Sequence, residues 1–251
     1  MLNIIRNCCH NSFVQTGFDL DGEGNPSAIV RKTYLLEGVG ALQREYESIE
    51  WYCQRLGIEA KEELLQFHHS ERYGVLRLRY HLGLAGDYFC SIVDNYDRIH
   101  NLIVYYCGIF RDDPSSRRSH GDLSLGNVIF GGNEVHRVID WENCNEVMPL
   151  AYDLIYCITE NCLFRLFRKH RLSAQDVRVY WKLFYQIKQR IPLEPSAQEL
   201  PVHWCQRVAK EYVIRSGVNH QKCPLLAFEP RLLHHLGVLL DNGRLVQGAT
   251  E

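Results

Sequence analysis

The stretch Ser119-His120-Gly121-Asp122-Leu123-Ser124-Leu125-Gly126-Asn127, followed by Val138-Ile139-Asp140-Trp141-Glu142, decides the reading of this 251-residue chain. Between the two, Asn127 to Phe130 and Val135 to Asp140 are short apolar-rich runs around Gly131-Gly132-Asn133-Glu134, a cluster of turn formers. That pattern predicts a β-hairpin. The hairpin would bring Asp140 back beside Asn127, and two hard oxygen donors of this kind suit Mg²⁺ completed by waters and phosphate oxygens. Asp122 is of the type that accepts a hydroxyl proton and orients the oxygen that loses it. The plainer reading of Asp122 and Asn127 is that they cap a turn.

Working outward, Ser12 to Leu20 and Ala28 to Tyr34 read as strands joined by the turn formers Asp21-Gly22-Glu23-Gly24-Asn25-Pro26. Leu42, Tyr46, Ile49, Cys53 and Leu56 recur at steps of four and three, the stripe of an amphipathic helix that Gly57 would stop. Gly74 to Tyr80 alternates apolar and basic residues as a half-buried strand does. From Asp87 the pattern becomes helical through Phe89, Ile92, Val93, Tyr96, Ile99, Ile103 and Cys107, before the polar stretch from Arg111 to Ser119. Beyond Pro149 the chain reads as helices, with starts at Ser173 (Asp176 three residues on) and Pro230, and breaks at Pro192 to Pro195 and Asp241-Asn242-Gly243. The division expected is residues 1–83 as a sheet-plus-helix lobe and 84–251 as a larger helical lobe.

Composition narrows the function classes. With 46% apolar and 23% charged residues the chain is an ordinary globular sequence, long enough to bury a core without disulfides or structural metal. A formal net charge of −2 lacks the basic footprint of a nucleic-acid binder. No apolar run approaches the ~20 residues that span a bilayer. The first ten residues lack the apolar core of a secretory signal, which points to the cytoplasm. The ten cysteines, with no Cys-x-x-Cys pair, read as reduced thiols, and Cys8-Cys9-His10 lacks the spacing of a zinc site.

His120, Asp122, Leu123 and Asn127 stand at the offsets of the protein-kinase catalytic loop His-Arg-Asp-Leu-x-x-x-Asn, with Gly121 in place of Arg. Together with Ile139-Asp140-Trp141-Glu142, Pro149 and Asp153-Leu154, they closely resemble the aminoglycoside phosphotransferase and choline kinase group of small-molecule kinases. The resemblance is sharp over residues 119 to 155. It implies an α+β, protein-kinase-like bilobal fold, ATP as donor, Mg²⁺ as cofactor, and nucleotide between the lobes. Carried over by position, Asp122 becomes the catalytic base, with His120 beside it in the catalytic loop. Asn127 and Asp140 become the metal ligands, and Asp153 ties the loop to the next helix. The resemblance also asks the first lobe for a lysine on the strand after the first hairpin and a glutamate on the helix. Lys32 occupies that strand, with Arg31 on its opposite face. Glu45 borders the apolar stripe of the helix, whereas Glu47 falls on the far side. An exposed surface ion pair is the alternative for both. The phosphate-covering turn would be Cys9-His10-Asn11-Ser12, where Asn11 and Ser12 could bond phosphate; the loop has no glycine, a departure from the kinase pattern.

The expected activity is therefore transfer of the γ-phosphoryl of ATP to a hydroxyl of a small molecule or saccharide. The competing reading is a lapsed pseudokinase that binds nucleotide or a partner without turnover. A protein kinase is disfavoured, since Trp141-Glu142 replaces Phe-Gly and no Ala-Pro-Glu segment follows. Residues 155–251 carry 14 Lys and Arg against 8 Asp and Glu. A polycationic acceptor prefers a carboxylate-lined cleft, so an anionic or lipid-linked acceptor is favoured over an aminoglycoside. Leu163 to Leu172 is a basic amphipathic stretch that could make peripheral membrane contact, or a helix with a solvated basic side.

Overall fold

In the computed structural model the described residues are 6–7, 14–20, 23, 26–35, 39–70, 73–81, 83–87, 90–109, 118–144, 148–191, 199–216 and 223–247. Asn11, Ser12 and the Cys8-Cys9-His10 cluster lie outside them. The chain divides into two compact units: residues 1–82 with 140–144, and residues 83–139 with 145–251.

The first unit is built on a five-stranded antiparallel sheet in the order β1 (Arg6–Asn7), β2 (Val14–Leu20), β3 (Pro26–Leu35), β5 (Tyr73–Arg79), β4 (Leu64–His69). Helix α1 (Val39–Leu56) lies against it, burying Leu42, Ile49, Tyr52 and Cys53. Strand β5 carries Gly74 under this helix, and a Cβ there would come within 2.0 Å of Leu42 Cδ2, so the small residue sets how closely helix and sheet approach. In β3 the side chains alternate, with Lys32 and Tyr34 buried and Arg31 and Thr33 partly exposed. Strand β4 was not anticipated from the sequence. It is an edge strand whose residues from Leu65 to His69 are all exposed, so no buried face marks it with a period of two.

Residues 140–144 were expected in the helical lobe but group with the sheet unit. The reason is packing: Trp141, 1% exposed, stands in a 3-10 turn (Trp141–Asn143) and lies 4.8 Å from the ring of Tyr52 and 5.9 Å from that of Trp51 on α1.

The second unit contains a three-stranded sheet, β6 (Leu84–Ala85), β7 (Val128–Gly131) and β8 (Glu134–Val138), with β7 and β8 forming the hairpin that the Gly131 to Glu134 cluster predicts. Its helices are α2 (Tyr96–Ile109), α3 (Leu150–Phe167), α4 (Ala174–Arg190), α5 (Pro201–Ser216) and α6 (Pro230–Gln247). Helix α2 starts later than the apolar stripe from Asp87 suggests, because Ser91 and Asp94 exchange side-chain and backbone hydrogen bonds in a turn before it. Helix α3 is the centre of this unit: every residue from Ala151 to Leu163 is buried, and α4, α5 and α6 pack around it. Ser173 caps α4, accepting from the Asp176 N–H at 3.1 Å while the Asp176 carboxylate accepts from the Ser173 N–H at 2.7 Å.

Helix α6 runs through Asp241-Asn242-Gly243, where a break was expected. Gly243 is a contact point instead: a Cβ there would fall 2.2 Å from Val177 Cγ1 on α4, and Trp181 Nε1 of α4 donates to the Leu240 carbonyl at 3.0 Å. The basic stretch from Leu163 is divided as well, with Leu163 and Leu166 buried, α3 ending at Phe167, and Lys169 at φ 61 in the exposed turn beyond it. The cysteines among the described residues are free thiols, and no described helix is long and apolar enough to cross a membrane. The two units are a small antiparallel sheet with one long helix and a larger, mainly helical body, an α+β architecture.

Candidate active site

In the sheet unit, β3 and α1 converge on one ammonium. Lys32 Nζ donates to Glu45 Oε1 at 2.6 Å and also pairs with the Asp140 carboxylate. Tyr34, two residues along the same strand face, donates its hydroxyl to the other oxygen of Glu45. Glu45 is fully buried on the apolar side of α1, where only a group with partners on both oxygens is tolerated. Burial raises its pKa, the Lys32 charge opposes that rise, and Asp140 adds to it. For Lys32, burial works against the charged form, but the carboxylates of Asp140 and Glu45 outweigh it and hold the ammonium well above its ordinary range.

Asp140 begins the 3-10 turn with φ 68 and ψ 55, a left-handed conformation uncommon for a residue with a Cβ. Glu142, two residues on, was not among the residues singled out in the sequence. Burial first and the Asp140 charge second push its carboxyl up to about 7. Glu45, Asp140 and Glu142 each place a carboxylate oxygen within 4.8 Å of the others. An Asp-x-Glu spacing was the available signal, but nothing in the sequence says that the turn folds both side chains toward Lys32.

In the helical unit, the segment from Ser119 to Asp122 is hung from Asp153 on α3. Its carboxylate accepts from the backbone N–H of His120 at 2.6 Å, from that of Gly121 at 2.9 Å, and from the Tyr106 hydroxyl of α2. Burial raises Asp153 to about 6 even though these three donors pull the other way. Gly121 sits at φ 81, which explains a glycine at this position of the loop.

His120 is fully buried. Its Nε2 donates to the Ile139 carbonyl at 2.8 Å and its Nδ1 accepts from the Asp122 N–H at 3.3 Å, an assignment that follows from the partners. The ring thus joins the loop to the strand end after β8. Asp122 itself is partly exposed, and its Oδ1 lies 3.2 Å from the Tyr156 hydroxyl. Asn127 Nδ2 donates to the Asp122 carbonyl at 2.9 Å, so the amide oxygen is the atom left for a cation. Asn127 and Asp140 belong to different units.

Among the expected residues, then, Lys32, Glu45 and Asp140 are joined in the sheet unit, and His120, Asp122 and Asn127 in the helical unit. Comparison with known proteins follows the same segment. No curated protein matches the chain. Two solved structures of aminoglycoside phosphotransferase APH(3'')-Id from Streptomyces rimosus are similar at low identity. One shares 10% identity over 79% of this chain and 87% of its own, with a TM-score of 0.47. The other, in complex with ADP and streptomycin, shares 13% over 69% and 90%, with a TM-score of 0.36. The family model of the phosphotransferase enzyme family matches residues 104–181. It is this segment, from the second half of α2 through the loop at Ser119 to Asn127, the hairpin and α3 into α4, that identifies the chain as similar to the phosphotransferase enzyme family.

Proposed function

We propose that the chain transfers the γ-phosphoryl group of ATP to a hydroxyl of a small molecule or saccharide. The observation that carries this reading is the meeting of buried Glu45 and of Asp140, 108 residues along the chain from Lys32, on the one Lys32 ammonium. A surface ion pair would not be assembled from a central strand, the inner face of a helix and a left-handed turn. Phosphoryl transfer needs a cation to hold phosphate oxygens, metal ligands, and a group that orients the acceptor.

Each unit supplies part of that set. In the sheet unit, Lys32, held straight by Glu45, is the cation for phosphate oxygens. Asp140 and Glu142 offer hard carboxylate oxygens, a donor set that fits Mg²⁺, and in the helical unit Asn127 offers an amide oxygen. When bound, the metal would neutralise charge on the transferring phosphoryl group. Asp122, anchored through His120 and Asp153, accepts the proton of the acceptor hydroxyl as its oxygen bonds to the γ-phosphorus. The bond from that phosphorus to the bridging oxygen breaks, and ADP leaves with the electron pair. The acceptor class rests on charge alone: the net positive balance of residues 155–251 favours an anionic or lipid-linked hydroxyl compound.

The test is thermal stability with and without ATP plus Mg²⁺, for the wild type and Asp140→Ala. A ligand at a hundredfold its dissociation constant stabilises by about 2.7 kcal/mol, which raises the melting temperature by roughly 5–10 °C for a chain of this size. The expected result is a shift that requires Mg²⁺ and is lost in Asp140→Ala, followed by ADP release with an acceptor from a screen led by phosphorylated sugars. Stabilisation without ADP release across the screen would favour the pseudokinase, and no shift at saturating nucleotide would refute both.

A further inference from the structure

One buried titratable group has no part in the mechanism above. Glu160 lies one turn beyond Tyr156 on α3, 6% exposed, with its Oε1 accepting from the Tyr156 hydroxyl at 2.7 Å. Its second oxygen, Oε2, is buried and has no hydrogen-bond partner among the described residues. A buried carboxylate with half its acceptors unmet is costly unless it takes a proton. The same Tyr156 hydroxyl stands 3.2 Å from Asp122 Oδ1. A phenol has a single hydrogen and cannot serve both carboxylates at once.

We propose that Tyr156 and Glu160 are positioning residues that form a buried relay to Asp122, in which the protonation of Glu160 decides which carboxylate receives the Tyr156 hydrogen. The proposal rests on the phosphotransferase reading for its functional meaning. With Glu160 ionised, the phenol donates to Glu160 Oε1 and withdraws its hydrogen from Asp122 Oδ1. With Glu160 protonated, the new carboxyl O–H donates to the Tyr156 oxygen, and the phenol hydrogen turns to Asp122. One proton enters from solvent at Glu160, and no other bond changes. A donor on Asp122 stabilises its charged form and weakens it as a base.

The surroundings support this exchange. Burial pushes the Glu160 carboxyl up to about 7, with the Tyr156 hydrogen bond opposing. Tyr156 is kept a phenol by burial and by the charges of Glu160 and Asp122. Along α3 the other titratable neighbours are Tyr152, stacked on Tyr156 at 5.9 Å, and Cys157, pushed well up by burial and by Glu160 and Asp153. Asp153 is taken up by the catalytic loop. From α4 comes Tyr180, whose hydroxyl is bonded to Thr159 at 2.9 Å, and from α5 comes Cys205, whose thiol is pushed well up by burial and by the charge of Asp153. Among the described residues no lysine or arginine contributes to the balance at Glu160. The network therefore exchanges one proton, and among the described residues it holds no counter-ion that would clamp it in one state.

The test uses the full-length chain and infrared spectroscopy of protonated carboxyl groups across neutral pH, in the wild type, Glu160→Gln, Asp122→Asn, Tyr156→Phe and Asp122→Asn/Tyr156→Phe. Glutamine and phenylalanine keep the shapes of the residues they replace, and far-ultraviolet circular dichroism verifies the fold. The expected result is a carboxyl band with a midpoint of about 7 that is missing in Glu160→Gln. Its midpoint should move when Asp122→Asn removes the charge at the far end, and that displacement should vanish in the Tyr156→Phe background. A midpoint indifferent to Asp122→Asn, or an equal displacement without the phenol, overturns the relay, since coupling through space does not need Tyr156. In turnover assays the kcat profile of the wild type should carry an inflection near neutral pH that Tyr156→Phe removes, with the KM for ATP little changed. An unchanged profile in Tyr156→Phe refutes the relay while leaving the enzyme reading intact. Band coupling without any turnover in the wild type supports the relay and refutes the phosphotransferase reading.

Discussion

Replacing Lys32 by methionine isolates what the sheet unit spends on its buried charges. The variant keeps the length and apolar stem of the side chain but removes the ammonium from Glu45, at 2.6 Å, and from Asp140. Asp140 is 32% exposed in its side chain and can turn to water, whereas Glu45 is fully buried and retains only the Tyr34 hydroxyl. Breaking a buried pair by deleting one partner costs roughly 3–5 kcal/mol. Protonating Glu45 sets a ceiling on that loss. From an ordinary glutamate value of ~4.3 to an assay at about pH 7.5, at about 1.4 kcal/mol per pH unit, the ceiling is about 4 kcal/mol. Lys32→Met should therefore lose about 3–4 kcal/mol in urea unfolding at neutral pH, or roughly 6–16 °C in melting temperature. The pH dependence has a definite sign. With no cation, the folded value of Glu45 lies above its unfolded value, so the folded state binds the extra proton and stability falls as pH rises. The deficit relative to the wild type should shrink toward about pH 5, where the proton is readily supplied. Adding Glu45→Gln should recover part of the loss at neutral pH. A deficit below about 1 kcal/mol, or one that is the same at both pH values, would refute the argument that Lys32 compensates a buried carboxylate.

Two further perturbations probe the helical unit. Asp153→Asn replaces a charged acceptor of two backbone N–H groups and a phenol by an amide with one acceptor atom, and should cost about 3 kcal/mol in equilibrium unfolding. Because the folded value of Asp153, about 6, lies above the ordinary aspartate range, its contribution is fully present below the unfolded value of ~3.9 and is lost as pH rises through 6. The variant should lack that slope; an identical slope in both proteins would refute it. Gly243→Ala puts a Cβ 2.2 Å from Val177 Cγ1 and should destabilise by about 1–3 kcal/mol in a thermal melt, with Val177→Ala in the same chain relieving most of the loss. Equal melting temperatures for wild type and Gly243→Ala would show that α6 does not approach α4 so closely.

Much of this was legible in the residues because the physics that places them is local. Alternation along β3 puts Lys32 and Tyr34 on one face, helical spacing puts Glu45 beside the stripe of α1, and Ser173 with Asp176 announces the start of α4. What stayed hidden depends on tertiary packing. Strand β4 buries almost nothing, so its sequence has no period to read. The Asp241-Asn242-Gly243 run looks like a helix stop, yet Gly243 is there because another helix passes close by. His120 and Glu142 show the same limit within the site: burial of the first and the turn that aims the second are set by residues far away in sequence. Tyr156 and Glu160 were masked for the opposite reason. On α3 nearly every position is buried, so a polar pair four residues apart breaks no amphipathic pattern.

The grouping of residues 140–144 with the sheet unit also bears on how the chain comes together during synthesis. The sheet and α1 are complete by Arg79, but the indole that covers Tyr52 arrives only after the β7–β8 hairpin has been made. Until Trp141 emerges, the first unit is left with an apolar face uncovered and Lys32 without Asp140. The first 82 residues are therefore not a self-sufficient folding unit, and a cut between the units would divide the aromatic cluster that closes one of them.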